Sequence, residues 1–391
     1  MYLIKKKRVC QFFLLGISGL ILADDLRSQS VKNPYAATDK IALALPDSLS
    51  RNTADIAAYY DSTFQSKPEK VRATFAWLST RIAYDVSKMY IVEFHEPGED
   101  LCTNTLLSRK GICENYAAIF QEVCSKMGVE TYIVDGYNRY NGRTEYIPHA
   151  WCIALVDTVW QFYDPTWAAG YVNNNTFYPK RSDAYFQPEA SEFIQTHMPF
   201  DPMWQMQSAT FTYPAFDSGA KVAALNGKFF AFRDSIDQYL LLDEEGKMQA
   251  TLRRMEANGQ PNSLVYNRMV QYKAYLQNAE QNRIANTYNA ASAKHNAAVM
   301  AYNLYIEAKN RQFYSLDDTQ VQRSLGAAAI HLAESRADLS EIGNTDKQTK
   351  VLIDQLNQAT KDLEGQLARE QYWLDTYIAK NGVGRRAMFY R

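Results

Sequence analysis

At 391 residues the chain is longer than one hydrophobic core usually serves, and a composition 47% hydrophobic and 22% charged, with 17 Gly and 12 Pro, excludes a disordered or collagen-like protein. Its 42 basic residues balance 43 acidic ones, and no basic stripe follows the first thirty residues, so a nucleic-acid-binding role has no electrostatic basis.

The N-terminus reads as a leader. Lys5, Lys6, Lys7 and Arg8 precede a largely apolar run from Cys10 to Ala23, and Asp24-Asp25 follow. A basic segment, a short apolar one and a small residue describe a secretory signal peptide over 1–28, with Ala23 and Ser28 as alternative last residues. The run of about 14 residues is short of the roughly 20 that span a bilayer. Export to the periplasm or the exterior is the expectation, with no stable membrane span once the leader is removed. An uncleaved anchor is the alternative.

Residues 29–64 read as an N-terminal extension, polar at first and leading into a helix. Pro68 to Arg81 is a clearer helix: proline suits a first turn, and Val71, Phe75, Leu78 and Ile82 recur at helical spacing. Residues 86–107, interrupted by Pro97-Gly98, read as loop with a short helix. A second helix starts near Cys113, with its apolar face at Tyr116, Ala117, Phe120, Val123, Cys124 and Met127 and a C-terminal stop at Gly128. Strands are expected over 130–137, 151–156 and 160–163, the last two joined by a turn at Asp157-Thr158. Helices followed by an antiparallel sheet define an α+β domain over 65–220.

From 221 onward the strand pattern stops. Ile284, Tyr288, Ala291, His295, Ala298, Tyr302 and Tyr305 form a coiled-coil-like seam, and Leu352, Leu356, Ala359 and Leu363 begin another. Breaks near 258–262, 315–318 and 343–345 divide 221–391 into about four helices, an all-α region able to pack on itself or on a partner.

Three segments carry chemistry. In Gly111-Ile112-Cys113-Glu114-Asn115-Tyr116-Ala117, a cysteine opens a helix, where the dipole and open N–H groups favour a thiolate and can hold an oxyanion. Pro148-His149-Ala150-Trp151 puts a histidine at a strand start, and Tyr163-Asp164-Pro165-Thr166-Trp167 puts a carboxylate at a strand end. Pairing about Asp157-Thr158 sets Trp151 opposite Asp164, so His149 and Asp164 share one sheet face as diagonal neighbours. Each segment alone has a plainer reading: a small core residue, a satisfied polar residue, a turn before proline. Together they supply nucleophile, base and orienting group. Cys113 and Cys124 lie three turns apart on one helix and cannot bridge; free thiols with one reactive are the expectation, and at most one bridge among Cys102, Cys124 and Cys152 is the alternative.

The order Cys, His, Asp in GICENYA, PHAW and YDPTW, preceded by FAWLSTRIAYD at Phe75 to Asp85, resembles the transglutaminase-like superfamily. The segment FIQTHMPFDPMWQ at Phe193 to Gln205 is similar to its kyphoscoliosis-peptidase-like branch. The resemblance spans about 65–210. It implies a helix-on-sheet core of papain-like type with Cys113 as nucleophile, His149 as general base and acid, and Asp164 as orienter. It also implies a polar aromatic oxyanion donor upstream of the cysteine, for which Tyr84 is the candidate and Trp77 the lesser one. Trp77, Trp151, Trp167, His197 and Trp204 are expected as structural residues near the site, and His95, His295 and His331 receive no role. No zinc-like spacing or phosphate loop occurs, so no metal or cofactor is expected. The expected reaction is acyl transfer on peptide or protein amides, hydrolytic by the likeness to the peptidase branch, with protein cross-linking as the alternative. A catalytically silent scaffold built on the helical region is the rival of a different class. A cover of C-terminal helices over the cleft is a third reading.

Overall fold

The computed structural model describes residues 33–90, 100–220 and 230–390. The expected leader, His95 and Pro97-Gly98 lie outside them. Among the described residues no helix is long and apolar enough to cross a membrane. The described residues divide into two compact units, one of those up to 238 with 254–265 and the other of 239–253 with those from 266 onward.

The first unit opens with three helices, Ala36–Ala42 (α1), Thr53–Thr63 (α2) and Lys67–Arg81 (α3). Their starts are set locally. Asn52 accepts the Asp55 amide at the head of α2, and Ser66 and Glu69 cap each other's backbone at α3, with Pro68 in its first turn. Then come Ala83–Tyr84 (β1), Thr103–Ser108 (α4), Lys110–Gly111 (β2) and Cys113–Lys126 (α5). Gly128 follows α5 at φ 74°, the left-handed stop the sequence announces.

Next are Thr131–Tyr140 (β3), Arg143–Val156 (β4) and Val159–Tyr163 (β5). Pro165–Ala169 (α6) leads to a small hairpin of Gly170–Asn173 (β6) and Thr176–Pro179 (β7). Ala190–Phe193 (α7), His197–Pro199 (β8) and Tyr213–Ser218 (α8) follow. The main sheet is antiparallel in the order β5-β4-β3-β8.

Two strands are longer than expected, for a local reason. Asn141-Gly142 turns β3 into β4 with φ of 50° and 78°, a pairing well suited to a two-residue hairpin. Pro148 interrupts the ladder without ending it. Tyr137 pairs with Pro148 and Asn138 with Glu145, so a bulge at Tyr146 and Ile147 lies directly beside the residue that cannot donate.

The sheet is covered on both faces. Ala150, Cys152, Ala154 and Val156 of β4 join α3 and α5 in one core. That core also takes in Ala42, Ile56, Tyr60 and Phe64, so α1 and α2 pack with the helices that follow them. On the alternate β4 positions, Trp151 meets Phe193 at 5.7 Å, and Phe162 of β5 stacks on the same Phe193 at 4.6 Å. The end of the helical layer is pinned by charge. Arg72, 1% exposed, makes paired hydrogen bonds to Asp39 at 2.6 and 2.7 Å and to Asp183 at 2.9 and 3.0 Å. Its guanidinium lies over the rings of Tyr35 and Phe186.

The remaining helices are Phe232–Leu240 (α9), Glu244–Ala257 (α10), Ser263–Asn310 (α11), Asp318–Glu341 (α12), Lys347–Ile378 (α13) and Gly382–Ala387 (α14). The three expected breaks are present, but two more, after Leu240 and after Ile378, make six helices among the described residues where about four were expected. In the second unit Ala298, Tyr305, Leu325, Leu332, Leu363, Leu367 and Leu374 form one apolar cluster. The seam along α11 is buried at Ile284, Ala291, His295, Ala298 and Tyr305. That of α13 corrects the expected one: Leu352 is 45% exposed and Ala359 faces out, while Leu356, Thr360, Leu363 and Leu367 carry the buried stripe. Thr360 is tolerated there because its hydroxyl meets His295 Nδ1 at 3.3 Å. His331 lies beside Glu334 on the partly exposed face of α12.

Candidate active site

The Cys113 side is built from two short backbone pairings. β1 and β2 run parallel, Tyr84 opposite Gly111, with Ala83 N–H donating to Arg109 O and Asp85 N–H to Gly111 O, both at 2.9 Å. This clasp fixes Tyr84 beside the start of α5. Gly111 has to be glycine, since a Cβ would sit 2.8 Å from both Asn115 Cβ and Thr105 Cγ2. Asn115 turns back to accept the Ile112 N–H at 2.9 Å and donates to Leu101 O at 3.2 Å. The Cys113 amide therefore lies in the first turn, ahead of the first intrahelical N–H bond at Asn115. Tyr116 ties α5 to the end of α3 by donating to Ile82 O at 2.6 Å.

The sheet supplies the other half. His149 Nε2 lies 2.8 Å from Asp164 Oδ2, as the expected register allows: Cys152 pairs with Tyr163 and Val156 with Val159 about the Asp157-Thr158 turn. The other carboxylate oxygen of Asp164 accepts the Thr166 and Trp167 amides at 2.9 and 3.0 Å, capping α6. One residue thus ends a strand, starts a helix and holds the imidazole. With Nε2 on Asp164, the other ring nitrogen of His149 is left free of that carboxylate, and Cys113 lies close enough to act electrostatically on the ring.

A second histidine reaches the same oxygen. His197 Nε2 lies 3.0 Å from Asp164 Oδ2, and its Nδ1 lies 2.8 Å from Thr196 Oγ1. β8 carries it there by pairing with β3, and Gly136 permits the approach, because a Cβ would sit 2.2 Å from Met198 O and 2.5 Å from the Trp151 ring. The sequence assigns His197 to structure alone; its direct bond to Asp164 requires the β3–β8 register, which no local motif announces.

Burial and charge act against each other here. Burial disfavours the charged form of His149, but Asp164 and Cys113 outweigh it and raise the imidazole to about 10. Burial likewise opposes ionisation of Asp164, yet the two histidines hold it below the usual carboxylate range. For His197 burial prevails over Asp164, bringing it down to about 4, so it stays neutral. These shifts give opposite slopes. The stabilisation from charged His149 is complete below about pH 6.5 and is lost as pH rises toward 10. On the acid side the unfolded chain protonates His197 near 6.5 while the folded one resists to about 4, so stability falls across that window. Melting temperatures measured from pH 4 to 10 should peak near neutrality, and His149→Gln should lose the alkaline decline. An unchanged alkaline decline in that variant would contradict the assigned charge on His149.

Tyr84 is half-buried, and burial, reinforced by the negative charges of Cys113 and Asp164, pushes its phenol up, so it remains a proton donor. Trp167 lies 5.9 Å from His149 and 4.6 Å from His197, and Trp151 lies 6.0 and 5.3 Å from the same two rings. Both tryptophans frame the imidazoles. Phe193 and Tyr185, which sequence reading passed over, join them at 3.9 and 6.2 Å from His197. Trp77 packs in the helical core under the Arg109 guanidinium, and Trp204 stacks on Tyr132 at 6.3 Å and lines a small crevice with Trp151, Phe193 and His197. His149, Asp164 and His197 place one ligand-type atom each within 4.8 Å. Both imidazole nitrogens aim at one carboxylate oxygen, an arrangement of hydrogen bonds and not of ligands spread around an ion. All four described cysteines are free. Burial raises Cys102, Cys152 and Cys124, the last to about 12.

A helix-borne cysteine facing a strand-borne histidine and aspartate is the arrangement of a transglutaminase-like fold, and residues 54–165 match the family model of the transglutaminase-like superfamily. The chain carries a transglutaminase-like domain followed by a long helical region. Among named proteins it is similar to the kyphoscoliosis peptidases of Mus musculus and Homo sapiens, 29% and 28% identical over 149 residues, matches covering 35% of this chain and 22% of each peptidase. The chain thus matches about a fifth of the length of these relatives. A solved structure, the periplasmic domain of TgpA from Pseudomonas aeruginosa, is 20% identical with a TM-score of 0.25, covering 34% of this chain and 47% of that one.

Proposed function

We propose that the protein is a cysteine-dependent acyl-transfer enzyme that hydrolyses peptide or protein amides. The observation that carries this reading is the His149–Asp164 pair, 2.8 Å apart, with Cys113 close enough to act on the same imidazole. Cys113 sulfur attacks the amide carbonyl and forms a carbon–sulfur bond while the carbonyl oxygen takes up negative charge. The Cys113 amide and the Tyr84 hydroxyl are the donors assigned to that oxygen. Imidazolium His149 gives its proton to the leaving amine, which departs as the carbon–nitrogen bond breaks. Neutral His149 then draws a proton from water as it cleaves the thioester, releasing the acid and restoring the thiol. Asp164 keeps the ring in one tautomer through both halves.

Likeness to the kyphoscoliosis peptidases supports hydrolysis over transfer. The test is turnover of fluorescent casein by the full chain, with dansylcadaverine present to report amine transfer. Release of soluble peptides supports hydrolysis, incorporation of the amine replaces it with transfer, and neither product overturns the reading. Tyr84→Phe should slow turnover by about 10²-fold while leaving alkylation of Cys113 by iodoacetamide unchanged. Unimpaired turnover would remove Tyr84 from the oxyanion site.

A further inference from the structure

Asp164 uses its four acceptor directions completely: two backbone amides on Oδ1, His149 and His197 on Oδ2. A carboxylate can only accept, so neutral His197 carries its proton on Nε2, and its Nδ1 lone pair faces the Thr196 hydroxyl at 2.8 Å, whose one proton the Phe193 carbonyl at 3.3 Å also draws on. The ring is completely buried and stacked on Phe193 with planes 10° apart. Nothing about catalysis requires a buried, tautomer-locked imidazole at this point. A hydrophobic ring would fill the space without the cost of burying a polar one.

We propose that His197 is a positioning residue, a second imidazole that shares the charge of Asp164 and so limits the grip of that carboxylate on His149. The proposal rests on the enzymatic reading above and deepens it. A neutral N–H donor on Oδ2 disperses negative charge that would otherwise fall wholly on His149. His149 has to hold a proton while the amine leaves and give it up before water can attack. An Asp164 bound to His149 alone favours the first state at the expense of the second. His197 moves the balance back and stays neutral itself, since burial outweighs the attraction of Asp164. The other titratable groups facing this cluster are Cys113, Tyr84 and Tyr116 from the helical side, Cys152 from β4 and Tyr185 from the turn after β7. The three phenols and Cys152 are held protonated by burial, which leaves Cys113 as the group that exchanges a proton with His149.

The test is an NMR titration of the full chain labelled with 15N-histidine, which has five histidines to assign. In the wild type the neutral His197 should show a protonated Nε2. His197→Phe should raise the His149 midpoint by about half to one pH unit, three- to tenfold in proton affinity. His197→Gln, which restores an N–H donor, should return it close to the wild-type value. Thr196→Val, which unlocks the tautomer, should move it the same way by less, and serves if the Phe variant does not fold. An unmoved midpoint in both His197→Phe and Thr196→Val, or an equal shift in Gln and Phe, overturns the proposal. Because no substrate is involved, this outcome is separate from that of the casein assay, whose failure would sink the enzymatic reading alone.

Discussion

Cys113→Ala should abolish casein turnover, a loss of about 10⁴-fold or more, while leaving the fold and its melting temperature nearly unchanged. The size follows from the mechanism: every covalent step passes through this sulfur, and removal of a nucleophile from a coupled set costs about as much as removal of the whole set. Stability is spared because the side chain is small and stands in the first turn of α5, where its neighbours are held by Asn115 and Tyr116. Iodoacetamide gives the same answer without a substrate. The wild type should be alkylated at Cys113 in preference to the three other described cysteines, and His149→Ala should lose that selectivity. Cys102, Cys124 and Cys152 should stay unmodified in folded protein, being buried and raised in pKa by that burial. Turnover surviving in Cys113→Ala would refute the covalent route outright.

The largest stability effect is expected at Arg72, far from any chemistry. Its guanidinium is buried, bonded to Asp39 and Asp183, and enclosed by the rings of Tyr35 and Phe186. Arg181 joins the network through both aspartates. Arg72→Ala leaves Asp39, 10% exposed at its side chain, beside an apolar core with one fewer partner. The cost should be about 3–5 kcal/mol, read from the urea midpoint of tertiary-structure loss. Asp183→Ala should cost no more than about 1 kcal/mol, because that carboxylate is 47% exposed and screened by water. Equal losses in the two variants would mean that burial does not set the strength of this network.

The parts legible in the sequence are those fixed by short-range rules. The start of α5 at Cys113, its stop at Gly128, and the two-residue turn at Asp157-Thr158 each determine a local geometry, and the last sets the register that brings His149 to Asp164. Two hairpin signals, Asn141-Gly142 and Asn174-Asn175, were equally available; the first lengthens β3 and β4, and the second makes the β6–β7 hairpin. What no pattern discloses is pairing across long separations. Arg72 finds Asp39 across 33 positions and Asp183 across 111, and His197 finds Asp164 across 33. Such contacts depend on how layers pack, here on a missing side chain at Gly136 that lets β8 close on β3.

The site has two carriers: a helical one holding Tyr84 and Cys113 through the β1–β2 clasp, and a sheet holding His149, Asp164 and His197. Where β4 meets α5 it presents small residues, Ala150, Cys152 and Ala154, and Cys152 touches the Ala117 carbonyl at 3.3 Å. Those side chains act as a spacer gauge. A methyl group added there should widen the gap between the two carriers much as a shim separates two plates, so under the proposed mechanism the spacing of sulfur and imidazole depends on residues that never meet a substrate.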